Sequence, residues 1–215
     1  RLARGAWAGA YVLNEQAVAG ITQFLTVPGA IDGNPYRLAA NADKSFIGSY
    51  VLGMGFVLTP EEAQDLIARN SCNQDCLFPY LNGEDLNSHF DQSPSRWVIN
   101  FHDWPLNREA DGIWKTADAK QRKDWLQSGM VPADYTDPVA ADYTDVLQII
   151  EEKVKPERTR KKEDGEFALR YPLYLKWWIY GDKRPKLYST ITGMGRVLAK
   201  ALVSPTWGFA LISSE

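Results

Sequence analysis

The chain has 215 residues, 45% of them hydrophobic and 24% charged, with a formal net charge of −3. That length can bury a sizeable core as one large domain or two small lobes. The absence of a signal peptide and of an apolar run of about 18 residues argues against a secreted or membrane protein.

Taken in chain order, AYVLN and ITQFLTV cluster β-formers and read as short strands, and DGNPYRL reads as a turn. SYVLGMGFVLT reads as a strand pair or bulged strand, with Gly53 and Gly55 placed where a Cβ would crowd a neighbouring backbone. Thr59 then caps a helix over TPEEAQDLIARN. Pro60 is its first residue and Glu62 the third position of a capping box.

FPYLNGEDLN reads as a structured loop, in which Asn82-Gly83 suits a tight turn with positive φ and Asp85 accepts backbone N–H groups. SRWVINFHDW reads as a core strand. Asp118–Tyr143, rich in Pro, Asp and Lys, reads as an insertion or mobile loop. Val146, Ile149, Ile150 and Val154 fall at helical spacing up to Pro156. A second helix is expected over Tyr171–Tyr180, then a basic turn and a third helix. The chain closes with a hairpin around Ser204-Pro205.

Charge is unevenly placed. Residues 1–150 hold 11 Lys and Arg against 19 Asp and Glu, a net of −8, whereas residues 151–215 hold 13 against 8, a net of +5. Screening confines each charge to roughly 10 Å, so phosphate binding depends on the local balance rather than on the chain total. Tyr174, Trp177, Trp178, Tyr180 and Tyr188 are interleaved with these basic residues.

Catalytic signals are weak. GNPYR (Gly33–Arg37) is one proline short of the Asn/Asp-Pro-Pro-aromatic tetrapeptide of amino-methyltransferases, and no strand and Gly-rich turn precede it, so it reads as a turn. Gly53-Met54-Gly55 and Gly193-Met194-Gly195 are lone triplets, too short for a nucleotide loop. Glu151-Glu152-Lys153 sits in a helical period and reads as helix surface. His102-Asp103 has no nucleophile in a recognisable context, His89 stands alone, and Cys72 and Cys76 read as reduced thiols.

Five segments carry a resemblance: Ser45–Ala63, Leu77–Ser88 (LFPYLNGEDLNS), Arg96–Pro105 (RWVINFHDWP), Ile149–Arg158 (IIEEKVKPER) and Arg196–Ile212 (RVLAKALVSPTWGFALI). In this order they resemble the target-recognition domain of single-chain type IIG/IIL restriction–modification enzymes and related phage-defence DNA adenine methyltransferases. The likeness runs from about Val12 to the C-terminus and leaves Asp111–Thr144 unmatched.

The resemblance implies a mixed α+β fold of short β-sheets with packed helices, without a Rossmann catalytic domain. It implies three parts: a β-rich scaffold lobe over 1–110, an insertion over 111–144 and a basic helix–hairpin lobe over 145–215. The implied function is sequence-specific recognition of double-stranded DNA, with no bond chemistry in this chain. Opening at Arg1, the chain reads as a piece of a longer one. A covalently linked methyltransferase domain would use S-adenosylmethionine, and Mg2+ if the parent also cleaves, in a bacterial or archaeal cytoplasm.

Mapped onto this sequence, Lys176, Lys183, Arg184, Lys186, Arg196, Lys200, Ser204 and Thr206 are candidates for DNA contact. Arg158, Arg160, Lys161 and Lys162 are expected to meet phosphate. KKEDGEF (Lys161–Phe167) departs from the family by interrupting the helix after KPER. A different class of reading is a protein- or carbohydrate-binding module with an aromatic platform, suggested by the eight Trp, although Trp97, Trp104 and Trp207 lie in strand-like segments that favour a core role.

Overall fold

The computed structural model describes residues 9–22, 25–27, 39–204 and 208–214, and its contacts divide the chain into two units, Arg1–Ser45 and Phe46–Glu215. In the first unit, β1 (Tyr11–Leu13) and β2 (Gln16–Val18) form an antiparallel hairpin. Its two-residue turn puts Asn14 and Glu15 at φ 51° and 66°, the left-handed pair that matches strand twist. The strand expected over ITQFLTV is not formed in its described part. The Leu25 N–H instead bonds back to the Thr22 carbonyl, and the Thr22 and Thr26 hydroxyls meet at 2.7 Å. The GNPYR turn lies outside the described residues.

The second unit is built around one antiparallel sheet in the order β3-β5-β4, with β3 (Val57–Leu58), β4 (Leu77–Tyr80) and β5 (Arg96–Ile99). The centre of RWVI therefore is the core strand its composition suggests. SYVLGMGFVLT is mostly not strand: a single 3-10 turn at Met54–Phe56 precedes the two residues of β3. That turn passes against the main helix. A Cβ on Gly55 would lie 2.6 Å from the Val154 side chain and 3.0 Å from the Lys153 backbone, so the crowding expected there is present, whereas at Gly53 it would meet only the Phe56 ring at 3.7 Å, an ordinary contact.

Helix α1 (Pro60–Arg69) carries the expected capping box. The Glu62 N–H donates to the Thr59 hydroxyl at 3.2 Å, and the Thr59 N–H to the Glu62 carboxylate at 2.8 Å. The same device recurs where a loop was expected: α2 (Gly83–Ser88) is capped by Asn82, whose amide oxygen accepts from Glu84 and Asp85 N–H. Gly83 is thus the first residue of a helix and not a left-handed turn. Its Cβ direction faces Ala201 at 3.3 Å.

The segment expected to be a mobile insertion is regular. A parallel pair, β6 (Asn107–Ala110) and β7 (Met130–Pro132), is connected through α3 (Ala119–Ser128). Asp118 and Gln121 close a capping box at the start of α3. Gly129, at φ 85°, ends it where any Cβ would strike Trp178 at 2.3 Å.

Helix α4 (Thr144–Lys153) buries Val146 and Ile150, and Val154 follows on the same stripe. Glu151-Glu152-Lys153 is its exposed side. The short α5 (Lys155–Arg158) restarts with Pro156 in its first turn. No helix forms over Tyr171–Tyr180. Isolated turns, such as the Leu175 and Lys176 N–H groups on the Pro172 carbonyl, carry the chain instead. Then come α6 (Pro185–Ile191) and an antiparallel hairpin of β8 (Arg196–Ala199) and β9 (Ala210–Ser213).

One apolar core draws Phe56, Leu58, Ile99 and Phe101 together with Ala140, Val146, Ile150, Val154 and Trp177–Tyr180. It crosses both expected lobe boundaries, at 110 and at 144, so those boundaries do not separate cores. The architecture is mixed α+β with small sheets and several helices. Among the described residues, no helix is long and apolar enough to cross a membrane.

Candidate nucleic-acid interface

Arg158 is the clearest correction among the expected contact residues. It is 2% exposed, and its guanidinium donates to the carbonyls of Leu52 at 3.0 Å, Trp177 at 3.2 Å, Val51 at 3.4 Å and Ile179. Its Cζ also sits 4.8 Å from the centre of the Phe56 ring. Burial lowers its pKa to about 10, which still leaves it charged at neutral pH. The side chain ties the 51–52 turn to the 177–179 segment and presents no surface to a phosphate.

Arg160, Lys161 and Lys162 are exposed. The insertion KKEDGEF folds into a small turn. Lys161 and Phe167 pair as an isolated bridge, the Lys162 N–H bonds to the Glu166 carbonyl, and Gly165 takes φ 84°. Phe167 stacks on Tyr174 at 4.0 Å and Lys161 lies 5.4 Å from the Phe167 ring, which anchors the turn on aromatic surface. Glu163, Asp164 and Glu166 stand in the same stretch, so three carboxylates follow its three cations within a few residues.

Lys176 is half-buried and donates to the Leu126 carbonyl at 2.8 Å. Lys183 pairs with Asp103, and Arg184 with Asp182 at 2.8 Å, with the Arg184 guanidinium 5.5 Å from the Tyr50 ring. Burial holds both Lys176 and Lys183 below the usual lysine range. Lys186 is exposed on α6. Arg196 is exposed at the start of β8, opposite Ser213. Lys200 approaches the Phe209 ring at 6.0 Å, and the Ser204 hydroxyl meets Asn87 Oδ1 at 2.9 Å. Thr206 and Trp207 lie outside the described residues.

Lys183, Arg184 and Lys186 come together at one place, the turn that enters α6. Beside it, a cleft of about 350 Å³ opens between the end of β5 and α6, lined by Ser49, Asn100, His102, Asp103, Tyr180, Lys183, Pro185 and Tyr188. A second cavity of about 190 Å³ has Gln127, Leu173, Lys176 and Lys183 in its wall, so Lys183 borders both. The basic turn at 160–162 and the terminal hairpin are separate elements.

Sequence reasoning misses the polar floor of the larger cleft, because it gives His102 and Asp103 core or surface roles once catalytic and metal chemistry are set aside. The usable signal was the alternation Asn100-Phe101-His102, with Phe101 1% exposed and polar neighbours on both sides. His102 takes φ 50°, held by its N–H on Asn100 Oδ1 at 2.9 Å. Its ring packs edge-on to Phe78 at 5.5 Å and against Trp104 at 5.4 Å. Partial burial of the ring holds its pKa below the usual imidazole value, which favours the neutral form.

Trp177 and Trp178, the described tryptophans of the basic region, are committed inward. Trp178 donates to the Trp104 carbonyl at 3.0 Å, Trp177 is also buried, and Trp97 and Trp104 pack against the core. No group of three or more His, Cys, Asp or Glu that could hold a metal ion occurs among the described residues. Comparison with protein-family models, curated proteins and solved structures finds no match to this chain.

Proposed function

We propose that this chain is a sequence-specific double-stranded DNA recognition module. In this reading it is the specificity domain of a restriction–modification DNA adenine-N6 methyltransferase, related to the type IIG/IIL enzymes that its segments resemble. The observation that carries the proposal is the Lys183-Arg184-Pro185-Lys186 turn, which sets three cations beside a cleft lined by an amide, an imidazole, a carboxylate and three hydroxyls. Cations hold the phosphate backbone in register, while amides, hydroxyls and imidazoles suit base edges. Arg196, Lys200 and Ser204 on the terminal hairpin add donors of the same kinds, and Arg160, Lys161 and Lys162 add exposed charge.

The methyl transfer belongs, in this reading, to a covalently linked domain of the parent protein. That domain would use S-adenosylmethionine, and Mg2+ where the parent also cleaves, in the cytoplasm of a bacterium or archaeon. Residues of this chain then choose the site without touching the methyl group. The test is to map methylated sites for the full-length parent and its Lys186→Ala, Arg196→Ala and Lys200→Ala variants. At least one variant relaxes a single position of the recognition sequence by about 1–3 kcal/mol of discrimination, with the methylated base unchanged. Identical site preferences in all three would refute the assignment of base reading to this region.

A further inference from the structure

The cleft beside α6 has a chemical character that its rim conceals. Lys183, the lysine in its wall, already has the Asp103 carboxylate, and Arg184, next along the turn, has Asp182. An anion entering here displaces a bonded carboxylate and meets its repulsion. The remaining hydrogen-bonding groups are neutral. Asn100 uses Oδ1 on the His102 N–H, which leaves its amide N–H2 for a ligand, and the Ser49 and Tyr188 hydroxyls sit 3.0 Å apart at the opposite lip. The His102 imidazole is fixed between Phe78 and Trp104, and Pro185 and the Tyr188 ring supply flat apolar surface. At about 350 Å³ the cleft lies at the small end of ligand sites and suits one ring system.

We infer that this cleft binds a single neutral planar heterocycle, a nucleobase released from its stack, through Asn100, His102 and the Ser49–Tyr188 hydroxyl pair. The base is read by its edge and covered on one face, while phosphate stays outside the cleft on exposed cations such as Lys186 and Arg160. Choosing a nucleobase among planar heterocycles rests on the DNA-binding reading above. The preference for a neutral ring over an anion follows from the pairing of the rim charges.

The test uses the full chain in two arms. In the first, nuclear magnetic resonance follows titration with adenosine, guanosine, cytidine, thymidine and inorganic phosphate. At least one nucleoside shifts the signals of Asn100, His102 and Tyr188, and phosphate at equal concentration does not. Asn100→Asp retains the acceptor for the His102 N–H and removes the donor, so it weakens nucleoside binding about tenfold, the scale of one lost hydrogen bond. If that variant does not fold, Tyr188→Ala at an exposed position reads the same loss.

In the second arm, fluorescence anisotropy compares a fully paired duplex with the same duplex carrying one unpaired base. The unpaired form binds about tenfold more tightly, and Asn100→Asp removes the difference. Nucleoside binding without any duplex binding upholds the cleft and sinks the DNA reading. Duplex binding with no nucleoside shifts and no gain from the unpaired base overturns the cleft assignment and leaves the DNA reading standing. Shifts produced by phosphate but by no nucleoside overturn it as well.

Discussion

Arg158 shows how a residue's role follows from the stripe it sits on. Val146, Ile150, Val154 and Arg158 repeat every four residues, and all four are buried. That spacing is in the sequence, and it placed Arg158 on the core face before any basic-patch argument applied. Carried over from the family resemblance, Arg158 reads as a phosphate contact instead, and that mapping obscures the stripe. Inside, the guanidinium fork satisfies four carbonyls that two irregular segments would otherwise leave unpaired. Arg158→Met therefore strands those carbonyls and lowers stability by about 2–4 kcal/mol, measured by urea unfolding. DNA affinity per folded molecule stays unchanged. A loss of affinity without loss of stability would restore a phosphate-contacting role.

Among elements, those with complete local punctuation were legible. Thr59-Pro60 with Glu62 announced α1, the Val146–Val154 period announced α4, and the hairpin expected around Ser204-Pro205 is matched by the pairing of β8 with β9 on either side of it. Asp118 and Gln121 speak the same language, as does Gly129 at the end of α3, yet the polar composition of 111–144 hid that β–α–β unit. The misreading of 171–180 has another cause. An aromatic-rich run resembles a helix face, but Trp178 and Tyr180 bond to the carbonyls of Trp104 and Ile99, distant in sequence, and tertiary burial overrides the local period.

LNGED illustrates a right position with a wrong reason. Asp85 does accept backbone N–H groups, from Asn82 at 3.2 Å and Ser95 at 3.3 Å. Its burial opposes ionisation, but the bonds from Ser95 and Asn82 outweigh it and hold the carboxyl below the usual range. Gly83, however, is constrained by Ala201 and not by φ. Gly83→Val should lower stability by about 1–3 kcal/mol through that contact. Gly83→Val combined with Ala201→Gly should recover part of the loss in thermal unfolding. A double variant no better than the single one would return the cost to backbone strain.

At the scale of the molecule, one core spans residues 51–180, while the cations that surround it cluster in the last third of the sequence. A net charge of −3 coexists with that distribution because phosphates respond to what lies within a screening length. The cleft and its polar floor became visible only when the fold brought Ser49, Asn100, Lys183 and Tyr188 to one place, a juxtaposition no local pattern encodes. The central claim, DNA recognition dominated by phosphate neutralisation, is tested most directly by anisotropy of a labelled duplex across a series of salt concentrations. The account predicts that log affinity falls linearly with log salt with a slope of about −4 to −7, and that neutralising Lys161 and Lys162 together flattens it by about 2. An affinity indifferent to salt, or no binding to duplex even at low salt, would contradict it.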